Sequence, residues 1–173
     1  MIDTEAHFTE LYRATYPELL RFVRRRAHPL LVDDIVGETY LAAWRRRDGL
    51  PDDARPWLFG TARHAMANAH RGVNRQIAVA VRIAETDPRQ DAPSDPSDRL
   101  DLQAAWRSLA VRDQEVLALH VWEDLDDRQA SAVLGCSRAA YSMRLSRAKR
   151  NLANLISRSN ANRAPALIPA AHH

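Results

Sequence analysis

The sequence predicts an all-α fold, with two small helical domains joined by a flexible acidic linker. Three observations predict it. The 173 residues include only five Gly and three Phe, and they are rich in Ala and Leu, a composition that favours helix over sheet. Apolar residues recur at three- and four-residue spacing rather than alternating. An acidic segment with three prolines, residues 85–98, interrupts that spacing and separates two helical blocks.

The N-terminal domain, assigned to residues 1–75, is predicted to contain three helices. They run from about Thr4 to Ala27, from Val32 to Arg46 and from Ala54 to Arg71. Prolines support these limits, because Pro29 follows the first helix and Pro56 lies in the first turn of the third. The buried face of the first helix is predicted to contain Phe8, Leu11, Tyr12, Leu19 and Phe22.

Residues 76–98 are assigned to the linker, and the C-terminal domain, residues 99–158, is predicted to hold four helices. The first starts at Ser97 or Asp98 and carries Leu100, Ala104, Trp106 and Leu109; the others span Arg112–Trp122, Asp126–Leu134 and Arg138–Ser157. Gly135 allows a left-handed turn between the last two helices, and Ser137 can cap the final one. Residues 159–173 are predicted to be a disordered tail.

Charge is distributed unevenly along the chain. The net charge is only +3, yet residues 137–158 carry six basic and no acidic residues, whereas residues 76–98 carry two basic and five acidic residues. A basic helix that lacks acidic residues indicates a polyanionic partner.

A short helix, a glycine turn and a long basic helix together predict a helix-turn-helix in the C-terminal domain. At 100° per residue, the inner face of the long helix contains Tyr141, Leu145, Ala148, Leu152 and Leu155. Small and basic residues share the rest of its surface, a combination that suits a helix entering a major groove. A solvated basic face is the alternative, but charge signs normally mix on such a face, which favours DNA binding.

The second and third helices each have a polar face opposite an apolar one. On the second, Asp34, Glu38, Leu41 and Arg45 lie opposite Val32, Val36, Tyr40 and Ala43; taken alone, the polar side indicates a solvated surface. On the third, Trp57, Thr61, His64, Asn68 and Arg71 lie opposite Leu58, Ala62, Ala65, Met66, Ala69 and Val73. This polar face suits stacking on unpaired bases, although a core position for Trp57 explains that residue equally well.

Three segments, in this order, resemble bacterial RNA polymerase sigma factors of the extracytoplasmic-function group. DDIVGETYLAAW (33–44) resembles the polymerase-binding helix of that family, and RPWLFGTARHAMANAHR (55–71) resembles the helix that opens the −10 promoter element. LDDRQASAVLGCSRAAYSMRLSRAKRNL (125–152) resembles the region 4 helix-turn-helix. These sigma factors consist of regions 2 and 4 alone. Departures are Gly37, His64, Ala110, Gln129 and Ala130, where the family usually has Gln, Asn, Pro, Glu and Ile.

The resemblance implies three binding surfaces. Core polymerase, through its β and β′ subunits, would be bound by Asp34, Ile35, Glu38, Leu41 and Arg45. The −10 element would be bound by Arg55, Trp57, Thr61, Arg63, His64, Asn68 and Arg71, with a pocket for a flipped base in the connection Arg47–Ala54. The −35 element would be bound by Ser137, Arg138, Ala139, Ala140, Ser142, Arg144, Arg147 and Lys149. An anti-sigma factor remains an open possibility as a further partner.

The expected function is therefore promoter recognition, with no cofactor, metal or catalytic residue. Cys136 is the sole cysteine, which excludes an intrachain disulfide and a cysteine-based zinc site. The N-terminus does not resemble a signal peptide, and no apolar run approaches the roughly 20 residues of a membrane span, so we expect a soluble, cytoplasmic protein without membrane insertion.

Two other functions fit parts of the sequence. A stand-alone helix-turn-helix regulator explains the C-terminal block but leaves residues 33–71 unexplained. A histidine-based metal enzyme is disfavoured, because His64 and His70 lie about 120° apart on a helix and no His-Glu-x-x-His cluster exists.

Overall fold

The computed structural model describes residues 4–73 and 96–163, and every regular element in these ranges is helical. The N-terminal domain contains α1 (Thr4–Arg24), α2 (Val32–Arg45) and α3 (Arg55–Val73), with 3₁₀ turns at Pro29–Leu31 and Arg47–Gly49. The C-terminal domain contains α4 (Pro96–Ser108), α5 (Val111–Val121), α6 (Asp127–Leu134) and α7 (Arg138–Arg163). The predicted all-α fold is confirmed; linker residues 76–95 lie outside the described residues.

The N-terminal core forms where α1, α2 and α3 pack together. Phe22 of α1 and Phe59 of α3 are almost fully buried, and their rings stack with centroids 4.6 Å apart. Tyr40 of α2 is buried, and its hydroxyl lies 2.9 Å from Thr15 Oγ1. Tyr12 was predicted to be buried but is 39% exposed. Its ring makes an edge contact with Tyr40, so only part of the side chain is covered.

Helix α1 ends at Arg24, three residues before the predicted end. The backbone N–H of Arg26 donates to Val23 O, three residues earlier in the chain. This spacing is that of a 3₁₀ turn, which commonly ends an α-helix. Arg26 Nη1 also donates to Phe22 O at 3.0 Å. His28 is extended, as expected for a residue that precedes proline. The turn places Arg25 and Arg26 against the C-terminal domain.

The C-terminal core lies between α7 and the helices that precede it. Its buried residues include Trp106, Leu109, Val116, Leu117, Leu119, Tyr141, Leu145 and Ala148. The buried Gln114 side chain joins α4 to α5, since its Nε2 donates to Trp106 O at 2.8 Å and to Leu109 O at 3.2 Å. Leu100 and Ala104 of α4 are exposed.

Two helices in the C-terminal half extend beyond the predicted domain, one into the predicted linker and one into the predicted tail. Helix α4 begins at Pro96, inside the segment assigned to the linker, because proline is well tolerated in the first turn of a helix. Helix α7 continues to Arg163, into the predicted disordered tail. Ser159 Oγ donates to Asp101 Oδ1 at 2.9 Å, so packing on α4 supports the additional turns.

The two domains pack against each other through α3 and α6. Gly60 lies at this contact, where an added Cβ would be in ordinary van der Waals contact, 3.9 Å from the Val133 backbone. The prolines and acidic residues between the domains indicated their separation in sequence, but they did not predict this contact.

Candidate nucleic-acid interface

The turn between α6 and α7 has the geometry that the sequence predicted. Gly135 ends α6 with φ 63° and ψ 39°, in the left-handed region that favours glycine. Ser137 Oγ then accepts a hydrogen bond from Ala140 N at 3.2 Å, capping α7. The two caps fix the direction in which α7 leaves the turn.

The start of α6 contains a capping box that was not predicted. Asp126 Oδ1 accepts from Gln129 N at 2.7 Å, and Gln129 Oε1 accepts from Asp126 N at 3.1 Å. The sequence did contain a signal for this capping box, because Asp126 is followed three residues later by Gln129. Gln129 Nε2 also donates to Asp53 Oδ2 of the N-terminal domain at 2.8 Å.

The inner face of α7 holds this helix rigidly against its domain. Tyr141 and Ala148 are fully buried and Leu145 is nearly so, while Leu152 and Leu155 are half-buried. Burial raises the pKa of the Tyr141 hydroxyl from 10.0 to about 12, so this face carries no charge near neutral pH. The predicted division of α7 into faces is confirmed.

The outer face of α7 presents the residues predicted to bind the −35 element. Exposed members are Ser137, Arg138, Ala139, Arg144, Arg147 and Lys149, and Ala140 is partly exposed. Lys149 Nζ lies 3.3 Å from His120 Nε2. Ser142 differs from the prediction, because its hydroxyl donates to the Asp127 carboxylate and joins α7 to α6 instead of being free for a base edge.

The predicted polymerase-binding face of α2 is exposed, with one exception. Asp34, Glu38, Leu41 and Arg45 lie at the surface, and Leu41 is 48% exposed. Ile35 is only 2% exposed and belongs to the core. Its assignment to the contact surface is therefore corrected: Ile35 borders the apolar face of α2 and packs inward.

The predicted −10 surface on α3 is only partly available. His64 and Asn68 are exposed, Arg63 is half-buried, and the Arg71 side chain lies outside the described residues. Trp57 is half-buried and packs against the core, and its carbonyl accepts from Thr61 Oγ1 at 2.8 Å.

Arg55, assigned to the same surface, has partners within the protein. Its Nε lies 2.6 Å from Glu18 Oε2, and its Nη2 donates to Glu123 O of the C-terminal domain at 2.6 Å. In this conformation Arg55 joins the domains and is not free for DNA, contrary to the prediction.

Comparison with known proteins assigns the family. The Sigma-70 region 2 family matches residues 11–76, and the Sigma-70 region 4 family matches residues 99–152. RNA polymerase sigma factor NccH of Alcaligenes xylosoxydans xylosoxydans is 30% identical over 138 residues, covering 74% of each chain. The chain belongs to the sigma-70 family, in its extracytoplasmic-function group.

Other relatives agree with this assignment. The extracytoplasmic-function sigma factor SigL of Mycobacterium tuberculosis is 29% identical over 153 residues, covering 82% of this chain and 86% of SigL. The fold matches the sigma factor RpoE of Bartonella quintana, solved with the anti-sigma factor NepR, with TM-score 0.61 and 23% identity over 87% of this chain and 97% of RpoE. It also matches CnrH, solved with the cytosolic domain of CnrY, with TM-score 0.61 and 24% identity over 89% and 90% of the chains.

A buried ion cluster joins the two domains of this sigma factor, and sequence reasoning missed it. Glu123 is 4% exposed and accepts hydrogen bonds from Arg25 Nη1 at 3.3 Å and from Arg26 Nη1 at 2.9 Å. Arg26 Nε also donates to Glu115 Oε1 at 3.4 Å. The partners lie 89 to 98 residues apart in the sequence, so no local pattern could have indicated the cluster.

Two cavities lie between the domains of this sigma factor. One, of about 880 Å³, is lined by Arg63 and His64 of α3 and by Arg144 and Arg147 of α7. The other, of about 950 Å³, is lined by residues 51–53, Trp57 and Thr61 on one side and by Arg128 and Gln129 of α6 on the other. Residues assigned to the two DNA elements therefore border the same interdomain space.

Among the described residues, no group of three or more His, Cys, Asp or Glu side chains is arranged to hold a metal ion. In the same part of the chain, none of the helices combines the length and apolar character that crossing a membrane requires.

Proposed function

We propose that this sigma factor directs core RNA polymerase to promoters through three surfaces: α2 for the polymerase, α3 for the −10 strand and α7 for the −35 duplex. The observation that carries the proposal is the basic outer face of α7. It begins directly after the glycine turn and stands on a buried apolar face, so its cations are exposed on a rigid helix.

The α7 face has the composition needed to read a duplex. Arg144 and Arg147 are exposed, and a guanidinium group can donate two hydrogen bonds to a guanine edge or a phosphate. Ala139 near the start of the helix adds little bulk, which allows the backbone to approach base edges.

The α2 face has the composition needed for a basic, partly apolar protein partner. Asp34 and Glu38 are exposed one helical turn apart, with half-exposed Leu41 in the next turn. Two carboxylates in the same region repel each other slightly within the helix, and a cationic partner would relieve that repulsion.

The α3 surface and the preceding loop supply the features needed to hold an unpaired base. The cavity beside Trp57 and Thr61 has a volume of about 950 Å³, and half-buried Trp57 is one of the residues that line it. Flipping a base costs a few kcal/mol, which stacking and hydrogen bonds in such a pocket can offset.

Each DNA contact on its own is small, so affinity would come from linking them. Once α2 is bound to polymerase, the contacts of α3 and α7 with DNA become effectively intramolecular. The free protein would accordingly bind promoter DNA weakly, and it would act in the cytoplasm by binding rather than by catalysis.

The first test is transcription in vitro with core polymerase on a promoter library. Replacing Arg144 and Arg147 with Ala should reduce promoter-directed transcription at least about tenfold, because each lost base contact costs about 1–3 kcal/mol. Binding to core polymerase should not change. The matched control replaces exposed Arg107 and Arg158 with Ala, which should leave both activities intact.

The converse variant replaces Asp34 and Glu38 with Lys. Charge reversal should abolish association with core polymerase, measured by gel filtration of the mixture, while the helical content stays normal. If the wild-type protein binds promoter DNA but never associates with core polymerase, the proposed function is wrong and the protein acts as a stand-alone regulator.

An inhibitory protein is a further proposed partner. The similarity of fold to RpoE, solved with the anti-sigma factor NepR, supports this. Such a partner would compete with core polymerase for α2, so adding it should reduce the polymerase complex in the same gel-filtration assay.

A further inference from the structure

One of the two interdomain cavities is lined by an excess of arginine side chains. The cavity of about 880 Å³ has five arginines in its walls but only two carboxylates, those of Asp113 and Glu115. The neighbouring cavity, of about 950 Å³, has two arginines and two aspartates. Charge, and not volume, therefore distinguishes the two cavities. The arginines of the first, the arginine cavity, are Arg26, Arg63, Arg112, Arg144 and Arg147.

Four of these arginines, those on α3, α5 and α7, form no ion pair with any residue that the structure describes. The two carboxylates of the cavity have other partners. Glu115 pairs with Arg26 at 3.4 Å, and Asp113 Oδ2 accepts from Asn151 Nδ2 at 2.7 Å. A concave surface lined by one sign of charge concentrates counter-ions, so the arginine cavity should attract an anion.

Arg26 provides an independent reason to expect an anion in this cavity. Its side chain is 1% exposed, its Nε donates to Glu115, and its Nη1 donates to Phe22 O and to Glu123. Its Nη2 is buried and has no hydrogen-bond partner among the described residues. Buried donors nearly always have a partner, and a donor left without one costs free energy. An oxygen of an anion in the cavity would supply the missing acceptor.

We propose that the arginine cavity binds a small polyphosphate anion, a chain of phosphates that is either inorganic or part of a nucleotide. A guanidinium group binds a phosphate through two parallel hydrogen bonds, and four unpaired guanidinium groups on three helices match several phosphates in one ligand. The volume of about 880 Å³ lies within the range of about 300–1,000 Å³ that is typical of small-ligand sites. Promoter DNA fits less well, because phosphates on the convex surface of a duplex cannot reach the Arg26 side chain, which is 1% exposed.

A ligand in the arginine cavity would compete with promoter DNA. Arg144 and Arg147 line the cavity and are also proposed to bind the −35 element, and Arg63 is proposed to bind the −10 element. The same guanidinium groups cannot bind a polyphosphate and the phosphates or bases of a promoter at the same time. This consequence rests on the proposed function, whereas binding of the anion can be measured without DNA or polymerase.

Arg112 is the residue to substitute first, because it lines the cavity but has no part in the proposed DNA and polymerase surfaces. Calorimetric titration of the whole protein with inorganic tripolyphosphate, in about 0.15 M salt to screen weak surface binding, should show one saturable site. Arg112→Gln should weaken binding about tenfold, since charge-assisted hydrogen bonds are lost. The matched control, Arg107→Gln at an exposed position of α4, should bind like the wild type. Absence of a saturable site, or equal losses in both variants, overturns the proposal.

Substitutions on opposite walls test whether the cavity itself is the site. Arg63→Gln on α3 should weaken tripolyphosphate binding as Arg112→Gln on α5 does, because the ligand contacts both walls. All variants should keep the helical content of the wild type by circular dichroism. Loss of binding in Arg144→Gln, with no effect of the other two substitutions, would place the anion on the open face of α7 alone and overturn the proposal.

A comparison of ATP and GTP with tripolyphosphate distinguishes the two sources of the anion. Tighter binding of a nucleotide would show that the nucleoside is also bound, and Met66, Val116 and Leu134 supply apolar side chains in the cavity wall for it. Equal or weaker binding of the nucleotides would show that the phosphate chain alone is recognised. Either result supports a polyphosphate site, and binding of none of the three compounds overturns it.

Competition with DNA tests the consequence of binding. A labelled promoter duplex, titrated with the protein in the absence of polymerase and magnesium, should bind about tenfold more weakly when tripolyphosphate is present at about nine times its Kd. For Arg112→Gln at the same concentration the loss should be only about twofold, because most of its sites remain empty. Equal losses for the two proteins overturn the competition. Inactivity of the protein with core polymerase on every promoter contradicts the proposed function instead, and the calorimetric result then decides the anion site by itself.

Discussion

Gly135 is the residue on which the angle between α6 and α7 depends. Its φ of 63° lies in a region where a Cβ costs about 1–2 kcal/mol. Gly135→Ala should therefore lower the free energy of unfolding by about 1 kcal/mol, measured by urea denaturation.

Gly37 provides the matched control for that substitution. It lies in the middle of α2, and no atom would contact a Cβ there within 4 Å. Gly37→Ala should stabilise the protein by about 0.5–1 kcal/mol, because alanine is the better helix former. Equal effects of the two substitutions would show that backbone conformation does not distinguish these positions.

Single residues differ in how far the sequence could predict them. Gly135 and Ser137 were predictable because their roles depend on near neighbours in the chain. Ile35 and Arg55 were not, because a helical wheel orders residues around their own helix and does not show what covers each flank. Ile35 is covered by the core, and Arg55 by Glu18 and the carbonyl of Glu123.

Helix α6 depends on its first turn more than a longer helix would. It has only eight residues, and short helices gain little from their own hydrogen bonds. The capping box of Asp126 and Gln129 satisfies two backbone donors that would otherwise have no partner.

Replacing Asp126 with Ala should lower the free energy of unfolding by about 1 kcal/mol. Asp126→Asn should retain most of the stability, because an amide oxygen caps a helix as well as a carboxylate does. Thermal unfolding followed by circular dichroism would measure both. Equal losses for Ala and Asn would show that the charge of Asp126, rather than its capping bond, provides the stability.

Whole helices were predicted more accurately than their limits. The opposed faces of α2 and α7 follow from spacing alone, because burial of an apolar stripe repeats with the helical period. The early end of α1 and the long extension of α7 depend on contacts with other elements: Arg26 with Glu123, and Ser159 with Asp101. Such contacts leave no periodic trace in a single sequence.

At the scale of the whole molecule, the contact between α3 and α6 depends on a small residue at position 60. Gly60→Ala should be accommodated, because the added Cβ would lie in ordinary contact, 3.9 Å from Val133 backbone atoms. Gly60→Leu adds three further carbons against a backbone that cannot move aside. The leucine variant should therefore separate the domains and increase the radius of gyration, while the alanine variant remains compact.

The polar composition of the domain contact has a consequence for any separation of the two domains. Its charged cluster consists of Arg25, Arg26, Glu115 and Glu123, and such groups regain favourable hydration when water enters between them. An interface made only of apolar side chains would expose a hydrophobic surface when the domains separate. Such a surface promotes aggregation. The proposed function places the two domains on separate promoter elements, and a contact that contains readily hydrated groups suits such a separation.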